Sequence, residues 1–165
     1  MKKYKAAIVG CGGIGHAHME GYEKVSNIEV IACCDTVPNA VKYYQNEFNI
    51  PQGFTDIDEM LTVAKPEIVS VCVWHLLHDE ITIKLSESSH VKGIICEKPM
   101  AIGVDKARSM VEACEKNNTK LVISHQRRFT PGWNKAKELV ENGEIGNPTR
   151  GELRVKDGLL NWGTH

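Results

Sequence analysis

The sequence predicts an α/β protein built on a doubly wound parallel sheet. Two observations support this class: a glycine cluster follows a short apolar run near the amino terminus, and five strand-like runs alternate with segments of helical period. The runs lie at about 5–9, 28–34, 68–73, 93–96 and 120–124. At 165 residues the chain is long enough for one well-buried domain but too short for a second complete one.

The glycine cluster begins where the first apolar run ends. Gly10, Gly12 and Gly15 fit the pattern G-x-G-x-x-G, which lets a backbone turn tightly and approach a diphosphate at a helix N-terminus. An ordinary turn is the alternative, but one βαβ unit here holds the strand, the glycines, a helix, a second strand and a terminal acid. The pattern therefore predicts a Rossmann-type dinucleotide site, with Gly13 and Ile14 also binding the cofactor.

The terminal acid of this unit is Asp35, twenty residues beyond Gly15 and at the end of the second run. A carboxylate there can accept hydrogen bonds from the adenosine ribose hydroxyls, and it repels a 2′-phosphate. Thr36, Val37 and Pro38 follow, so no arginine is at hand to bind that phosphate. The sequence therefore predicts NAD as the cofactor in preference to NADP.

Three later segments have the spacing of amphipathic helices. The first has Pro38 in its first turn and an apolar face made of Val37, Ala40, Val41, Tyr44 and Phe48. Thr55 followed by Asp58 predicts the capped start of a short helix. The third segment has an apolar stripe within 107–114 and ends at two asparagines, 117–118.

The pattern changes after residue 125. Thr130 and Pro131 predict the start of a helix, which Gly143 ends, and residues 149–155 have the composition of a further strand. These features are not part of the alternation of strands and helices that precedes them. We therefore expect a boundary between 1–124 and 125–165.

Composition excludes several functional classes. The formal charge of -1 and a pI near 6.6 provide no basic surface for nucleic acid. No apolar stretch approaches the roughly 20 residues that span a bilayer, and the start of the chain does not resemble a signal peptide. We expect a cytoplasmic protein that binds no membrane. Six cysteines without a C-x-x-C pair, and histidines without zinc-site spacing, predict buried structural thiols and no metal.

Three further segments narrow the family. They are 96–100 (C-E-K-P-M), 124–129 (S-H-Q-R-R-F) and 161–165 (N-W-G-T-H). Together with the glycine motif they resemble the glucose-fructose oxidoreductase and inositol dehydrogenase family. The resemblance covers essentially the whole chain but only the first half of a typical member. We therefore expect a fragment in which 1–124 is the dinucleotide-binding domain and 125–165 is a connecting helix with the truncated beginning of a second, substrate-binding α/β domain.

The resemblance implies an NAD-dependent oxidoreductase that moves a hydride between nicotinamide and a hydroxyl-bearing carbon of a sugar or cyclic polyol. It makes Lys98 and His165 the catalytic pair, and both contact substrate together with Asn161. An imidazole at His165 suits a base that takes the hydroxyl proton, and an ammonium at Lys98 stabilises the developing alkoxide. Asn161 stands where many relatives carry aspartate. The alternative for Lys98 is an ordinary solvated loop lysine.

The resemblance also implies a channel for the cofactor. Its residues beyond the glycine loop and Asp35 are Val73, Trp74, His75, His78, Glu97, Lys98 and Arg127, and the bond before Pro99 is expected to be cis. Histidines at a helix start can instead be capping or surface residues, and either Arg127 or Arg128 can instead pair with the carboxylate of Glu97.

Two functions therefore remain open at this point. One is an oxidoreductase for which the chain supplies the cofactor domain, and the other is a dinucleotide-binding fragment without turnover of its own. The resemblance further implies a homo-oligomer, because relatives usually assemble through the sheet of the second domain.

Overall fold

Six strands form one parallel sheet in the computed structural model, which describes residues 2–154. The strands are β1 (Tyr4–Val9), β2 (Ile28–Cys34), β3 (Gln52–Phe54), β4 (Ile68–Val71), β5 (Gly93–Cys96) and β6 (Lys120–Ile123). The helices are α1 (Gly13–Tyr22), α2 (Pro38–Phe48), α3 (Ile57–Val63), α4 (His78–Ser86), α5 (Val104–Lys116) and α6 (Pro131–Glu141). The strand order β3-β2-β1-β4-β5-β6 is that of a doubly wound nucleotide-binding sheet. The predicted fold class is confirmed.

Alternating side chains of the central strand pack on opposite faces of the sheet. Ala6 and Ile8 contribute to one buried cluster with residues of α1 and α2, whereas Ala7 and Val9 contribute to the other with residues of α3, α4 and α5. This alternation follows from the two-residue period of a strand. Both faces are covered by helices, so the central strands are apolar on both sides.

The strand register brings the candidate site together. Val9 at the end of β1 lies opposite Cys34 of β2 and Val71 of β4, and Val71 lies opposite Cys96 of β5. The carboxyl ends of four parallel strands therefore meet at one edge. This edge includes the switch between β1 and β4, where doubly wound sheets bind ligands.

All five predicted strand segments occur, and the structure adds β3, which none of them covers. This edge strand has only three residues, too few to show a strand period in the sequence. The helix predicted from Thr55 is present, but its cap is Asp56, whose carboxylate accepts a hydrogen bond from the Glu59 amide at 2.8 Å. The prediction of Thr55 as the cap was wrong by one residue.

The cysteines and helices show two further features of the chain. All six cysteines are free and buried, in agreement with the structural role predicted for them. No helix among residues 2–154 is both long and apolar enough to cross a membrane.

The chain divides into two compact units, one up to Ser124 and one from His125 onward. In the second unit, α6 begins directly after Thr130 and ends before Gly143, which has a φ of 72°. This agrees with the predicted helix. A strand was predicted at 149–155. Residues 149–154, the part of this segment that the structure describes, form no strand, so the prediction was wrong for these residues. The assignment of 125–165 to a substrate domain stays a prediction.

Candidate dinucleotide-binding site

The glycine loop between β1 and α1 depends on the absence of side chains at two positions. Gly10 has a φ of 99°, and a Cβ atom there would lie 2.5 Å from the carbonyl oxygen of Cys72. A Cβ atom at Gly15 would lie 2.5 Å from the carbonyl oxygen of Gly10. Both distances are far below a normal contact, so only glycine fits the loop against β4 and against itself.

Two other glycines leave space at the start of α1. A Cβ atom at Gly12 or Gly13 would meet nothing within 4 Å. Gly12 is the N-cap residue and has no side chain with which to cap the helix, so the first amides are available to an anion. This end of α1 can therefore accept a diphosphate.

Tyr44 supports the same loop from α2. Its hydroxyl donates a hydrogen bond to the carbonyl oxygen of Gly12, and the residue is 1% exposed. The sequence pattern predicts Tyr44 only as part of the apolar face of its helix. The pattern carries no signal that this face reaches the loop, because the contact depends on how α2 packs.

Asp35 joins the loop to the end of β2. One carboxylate oxygen accepts a hydrogen bond from the Cys11 amide at 2.8 Å, and the other accepts one from the Val37 amide at 2.9 Å. A carboxylate has about four lone-pair positions, so each oxygen can still accept from a ribose hydroxyl. Asp35 is half-buried and borders the cleft described next.

A cleft of about 340 Å³ lies at the carboxyl ends of β1, β2 and β4. Its polar side contains Asp35 and Thr36, and its apolar side contains Ile57, Trp74 and Leu77. Trp74 is 55% exposed and Leu77 is 42% exposed, an uncommon position for such large apolar side chains. The volume, the mixed lining and the position at the switch point suit the adenosine part of a dinucleotide. The residues present therefore fit the predicted cofactor.

The turn after β5 carries Glu97, Lys98 and Pro99. Lys98 is exposed at the same edge of the sheet as the glycine loop, and its bond to Pro99 is cis, as expected. Glu97 is only 4% exposed. Its carboxylate accepts hydrogen bonds from the His18 ring at 3.1 Å and from the Lys98 amide at 3.2 Å, and the hydroxyl of Ser124 donates another.

These contacts set the charge of Glu97. Burial alone would raise the pKa of its carboxyl, but the hydrogen bonds from His18 and Ser124 outweigh it and hold that pKa below the usual value. Glu97 is therefore ionised at neutral pH. The sequence predicted neither His18 nor Ser124 as its partner.

His78 joins two segments of the candidate site. It is 1% exposed, with Nδ1 2.7 Å from the carbonyl oxygen of Pro99 and Nε2 3.1 Å from that of Val73. The alternative that it is a surface residue was wrong. The ring connects the loop after β4, where Trp74 and His75 lie, to the turn that carries Lys98.

The remaining predicted site residues lie elsewhere. Arg127 belongs to the second compact unit, in a short 3₁₀ segment, Gln126–Phe129. Asn161 and His165 lie outside the described residues. Among residues 2–154, no group of three or more metal-ligating side chains is arranged to hold an ion.

Comparison with known families and proteins gives a consistent result. A family model described as an oxidoreductase family with an NAD-binding Rossmann fold matches residues 4–125. Inositol 2-dehydrogenase of Salmonella paratyphi B is 29% identical over 147 residues, which are 87% of this chain and 43% of that protein. D-apiose dehydrogenase of Paraburkholderia graminis is 26% identical over 156 residues, which are 94% of this chain and 41% of that protein.

Solved structures agree with this result. The WlbA dehydrogenase of Chromobacterium violaceum, in complex with NADH and UDP-GlcNAcA, matches with a TM-score of 0.83 and 28% identity. The match covers 88% of this chain and 42% of that one. The chain thus spans less than half the length of the relatives it matches.

Proposed function

Because this chain belongs to the glucose-fructose oxidoreductase and inositol dehydrogenase family, whose members bind NAD through this Rossmann fold, we propose that it is the cofactor-binding half of a dehydrogenase. The proposed reaction moves a hydride between the nicotinamide and a hydroxyl-bearing carbon of a sugar or cyclic polyol. Inositol and apiose dehydrogenases among the relatives support this substrate class.

The observation that carries the proposal is the cleft at the switch point, bordered by Asp35 on one side and Gly12 on the other. The amides that open α1 bind the diphosphate, and Gly10, Gly13, Ile14 and Gly15 shape the loop around it. Asp35 accepts hydrogen bonds from the adenosine ribose. The negative charge of Asp35 disfavours a 2′-phosphate, so the proposed cofactor is NAD rather than NADP.

The nicotinamide half runs along the loop after β4 toward the turn after β5. This path begins at Val73 and Trp74, which border the cleft, and continues along His75. His78 holds the two segments together. Glu97 acts by supporting the turn rather than by lining the cleft, because its carboxylate accepts hydrogen bonds from protein groups. Arg127 contacts the cofactor or substrate in this proposal, as the family resemblance implies.

Bound NAD would supply the hydride acceptor at its nicotinamide C4. When the C–H bond of the alcohol breaks, its hydroxyl proton must leave to a base, and His165 takes that role with Asn161 hydrogen-bonded to the substrate. The ammonium of Lys98 stabilises the negative charge that develops on the oxygen. These three assignments rest on the resemblance and on the exposed position of Lys98.

The cellular location and the oligomeric state of the protein are also part of the proposal. A dehydrogenase needs access to the cellular pool of NAD, so we place the protein in the cytoplasm, as a homo-oligomer assembled outside the described residues. The present 165 residues are proposed to bind the dinucleotide, and turnover is proposed for the full-length protein that also carries a substrate half.

Calorimetric titration with NAD tests the proposal. We expect binding by the natural sequence and its loss in Gly12→Val, whose side chain enters the space next to the helix amides. Gly21→Val, on the same helix but away from the glycine loop and with open space around its Cβ, is the matched control and is expected to bind normally. Equal binding by Gly12→Val and the natural sequence would contradict the site, and no binding by folded natural protein would contradict the cofactor.

A further inference from the structure

A line of buried polar side chains runs from α1 across the sheet to the turn after β5. The Tyr22 hydroxyl lies 2.7 Å from the hydroxyl of Ser70, which lies 3.0 Å from Nδ1 of His18. Nε2 of His18 lies 3.1 Å from the carboxylate of Glu97, which accepts the Lys98 amide. The line joins three elements that are distant in sequence, α1, β4 and the turn.

The charge of Glu97 assigns a direction to its hydrogen bond with His18. Ionised Glu97 can only accept, so Nε2 of His18 carries the hydrogen and donates it. Nδ1 of His18 also lies within hydrogen-bond distance of the Ser70 hydroxyl, and either hydroxyl can donate in the contact between Ser70 and Tyr22. Burial raises the pKa of Tyr22 to about 12, so its hydroxyl keeps its proton at neutral pH.

We propose that His18 is a positioning residue, which fixes Lys98 relative to the bound dinucleotide by tying helix α1 to the carboxylate of Glu97. The inference rests on the proposed function, because it assumes that the start of α1 binds the diphosphate and that Lys98 acts on the substrate. Helix α1 then has two roles. Its N-terminus binds the cofactor, and His18, further along the same helix, positions Lys98.

The ring of His18 supplies a hydrogen bond that the buried carboxylate needs. Without the Nε2–H donor, fewer hydrogen bonds oppose the effect of burial, so the pKa of the Glu97 carboxyl rises and its protonated form becomes more populated. A protonated carboxyl is a weaker acceptor for the Lys98 amide. The turn then loses one of the contacts that fix its position.

The other groups around Glu97 do not substitute for His18. The nearby thiols of Cys72 and Cys96 have pKa values raised by burial, that of Cys96 to about 11, so both are neutral. The hydroxyl of Ser124 donates a second hydrogen bond to this carboxylate, and that bond lowers the pKa of Glu97 less than the bond from His18 does. Lys98 follows Glu97 directly and is an exposed residue.

Two substitutions of equal polarity separate positioning from packing. The side-chain amide of His18→Gln can place its NH₂ where Nε2 lies and still donate to Glu97. The shorter side chain of His18→Asn reaches only the position of Nδ1, beside Ser70. If His18 served only to fill space, the two variants could differ in stability, but the pKa of Glu97 would be the same in both.

The readout in this chain is the NMR shift of the Lys98 amide proton, followed from about pH 4 to pH 8 because an amide bound to a carboxylate reports its titration. We expect the titration step of the Glu97 carboxyl to lie at higher pH in His18→Asn than in His18→Gln. The same titration midpoint in the two variants would overturn the inference. Ring ¹⁵N spectra of the natural sequence provide a test that needs no variant, because an Nδ1–H tautomer would also overturn it.

Kinetics of the full-length protein give the second readout. We expect His18→Asn to lower kcat on the order of tenfold while the KM for NAD changes less than about twofold, and His18→Gln to stay within about threefold of the natural enzyme. Equal kcat values in the two variants would overturn the inference. Failure of the natural chain to bind NAD would instead contradict the proposed function, and the NMR experiment would still test the contact between His18 and Glu97.

Discussion

The glycine loop and the turn after β5 lie at the same edge of the sheet but are held in different ways. The loop is determined by backbone geometry, because Gly10 and Gly15 bring main-chain atoms closer than any side chain allows. The turn is determined by buried side chains, because Glu97 and His78 hold it through hydrogen bonds to distant segments. One region depends on steric exclusion and the other on a polar network.

This difference predicts different consequences of substitution. A change at Gly10 or Gly15 acts through clashes and alters folding and cofactor binding together. A change in or behind the turn leaves the fold and the diphosphate site intact, and alters the position and charge of the reacting groups.

Gly10→Ala is expected to have the largest effect. The new Cβ atom would lie 2.5 Å from the Cys72 carbonyl oxygen at a residue with a positive φ. Strain and overpacking together should lower the free energy of unfolding by about 3 kcal/mol or more, as measured by urea denaturation. Gly13→Ala, with open space around its Cβ, is the control and should change stability by less than about 1 kcal/mol. Similar values for the two variants would contradict steric control of the loop.

Lys98→Ala should affect turnover and leave binding almost unchanged. Loss of the ammonium removes stabilisation of the developing alkoxide, so kcat of the full-length protein should fall on the order of a hundredfold. The dissociation constant for NAD should change less than about threefold. Lys92→Ala, whose side chain pairs with Glu67 away from the turn, is the control and should keep normal turnover. A parallel loss of NAD affinity and turnover in Lys98→Ala would show that the turn and the loop are not separate.

Asp35→Ser should change cofactor preference. Removal of the negative charge should lower the NADP-to-NAD ratio of dissociation constants by about tenfold, measured by calorimetry. Asp35→Asn keeps the shape of the side chain and one carbonyl oxygen for the Cys11 or Val37 amide, and so separates charge from support of the loop. An unchanged ratio in both variants would contradict a role for this charge at the ribose.

Glu67→Gln should have the smallest effect. The carboxylate of Glu67 serves as a comparison for that of Glu97. Hydrogen bonds from Lys92 and Lys2 lower the pKa of Glu67 from 4.5 to about 2, so its ionised form stabilises the folded state. That contribution is fully present above pH 4.5 and is lost as the pH falls toward 2.

Denaturation of the natural sequence and Glu67→Gln at several pH values measures this contribution. The difference should be below about 1 kcal/mol at pH 7, because ion pairs at the surface are weakened by solvent and salt. It should shrink in acid, while NAD affinity stays unchanged throughout. A difference that grows as the pH falls, or an altered NAD affinity, would contradict this assignment.

The glycine loop and Asp35 could be located from the sequence because their signals are local. The spacing of glycines in one βαβ unit and the acid at the end of its second strand describe contacts between neighbouring segments. The support for the turn could not be predicted, because its hydrogen bonds join residues that are far apart in sequence. His18 is 52 residues from Ser70 and 79 residues from Glu97. No periodicity connects residues so distant.

The missed details of the fold have the same kind of cause. The edge strand β3 is too short for a strand period, and the cap of α3 at Asp56 depends on which carboxylate reaches the amide of Glu59. The hydroxyl of Tyr44 reaches the glycine loop only because α2 packs beside it.

The amino-acid sequence alone determined the doubly wound fold, its family and the position of the diphosphate loop. Periodicity and glycine spacing are short-range properties, so they can be recognised from consecutive residues of the sequence. Tertiary structure alone decided which side chains hold the turn that carries Lys98 and which charge Glu97 bears. Both depend on burial and on partners from α1 and β4, and those conditions exist only after the sheet has brought these elements together.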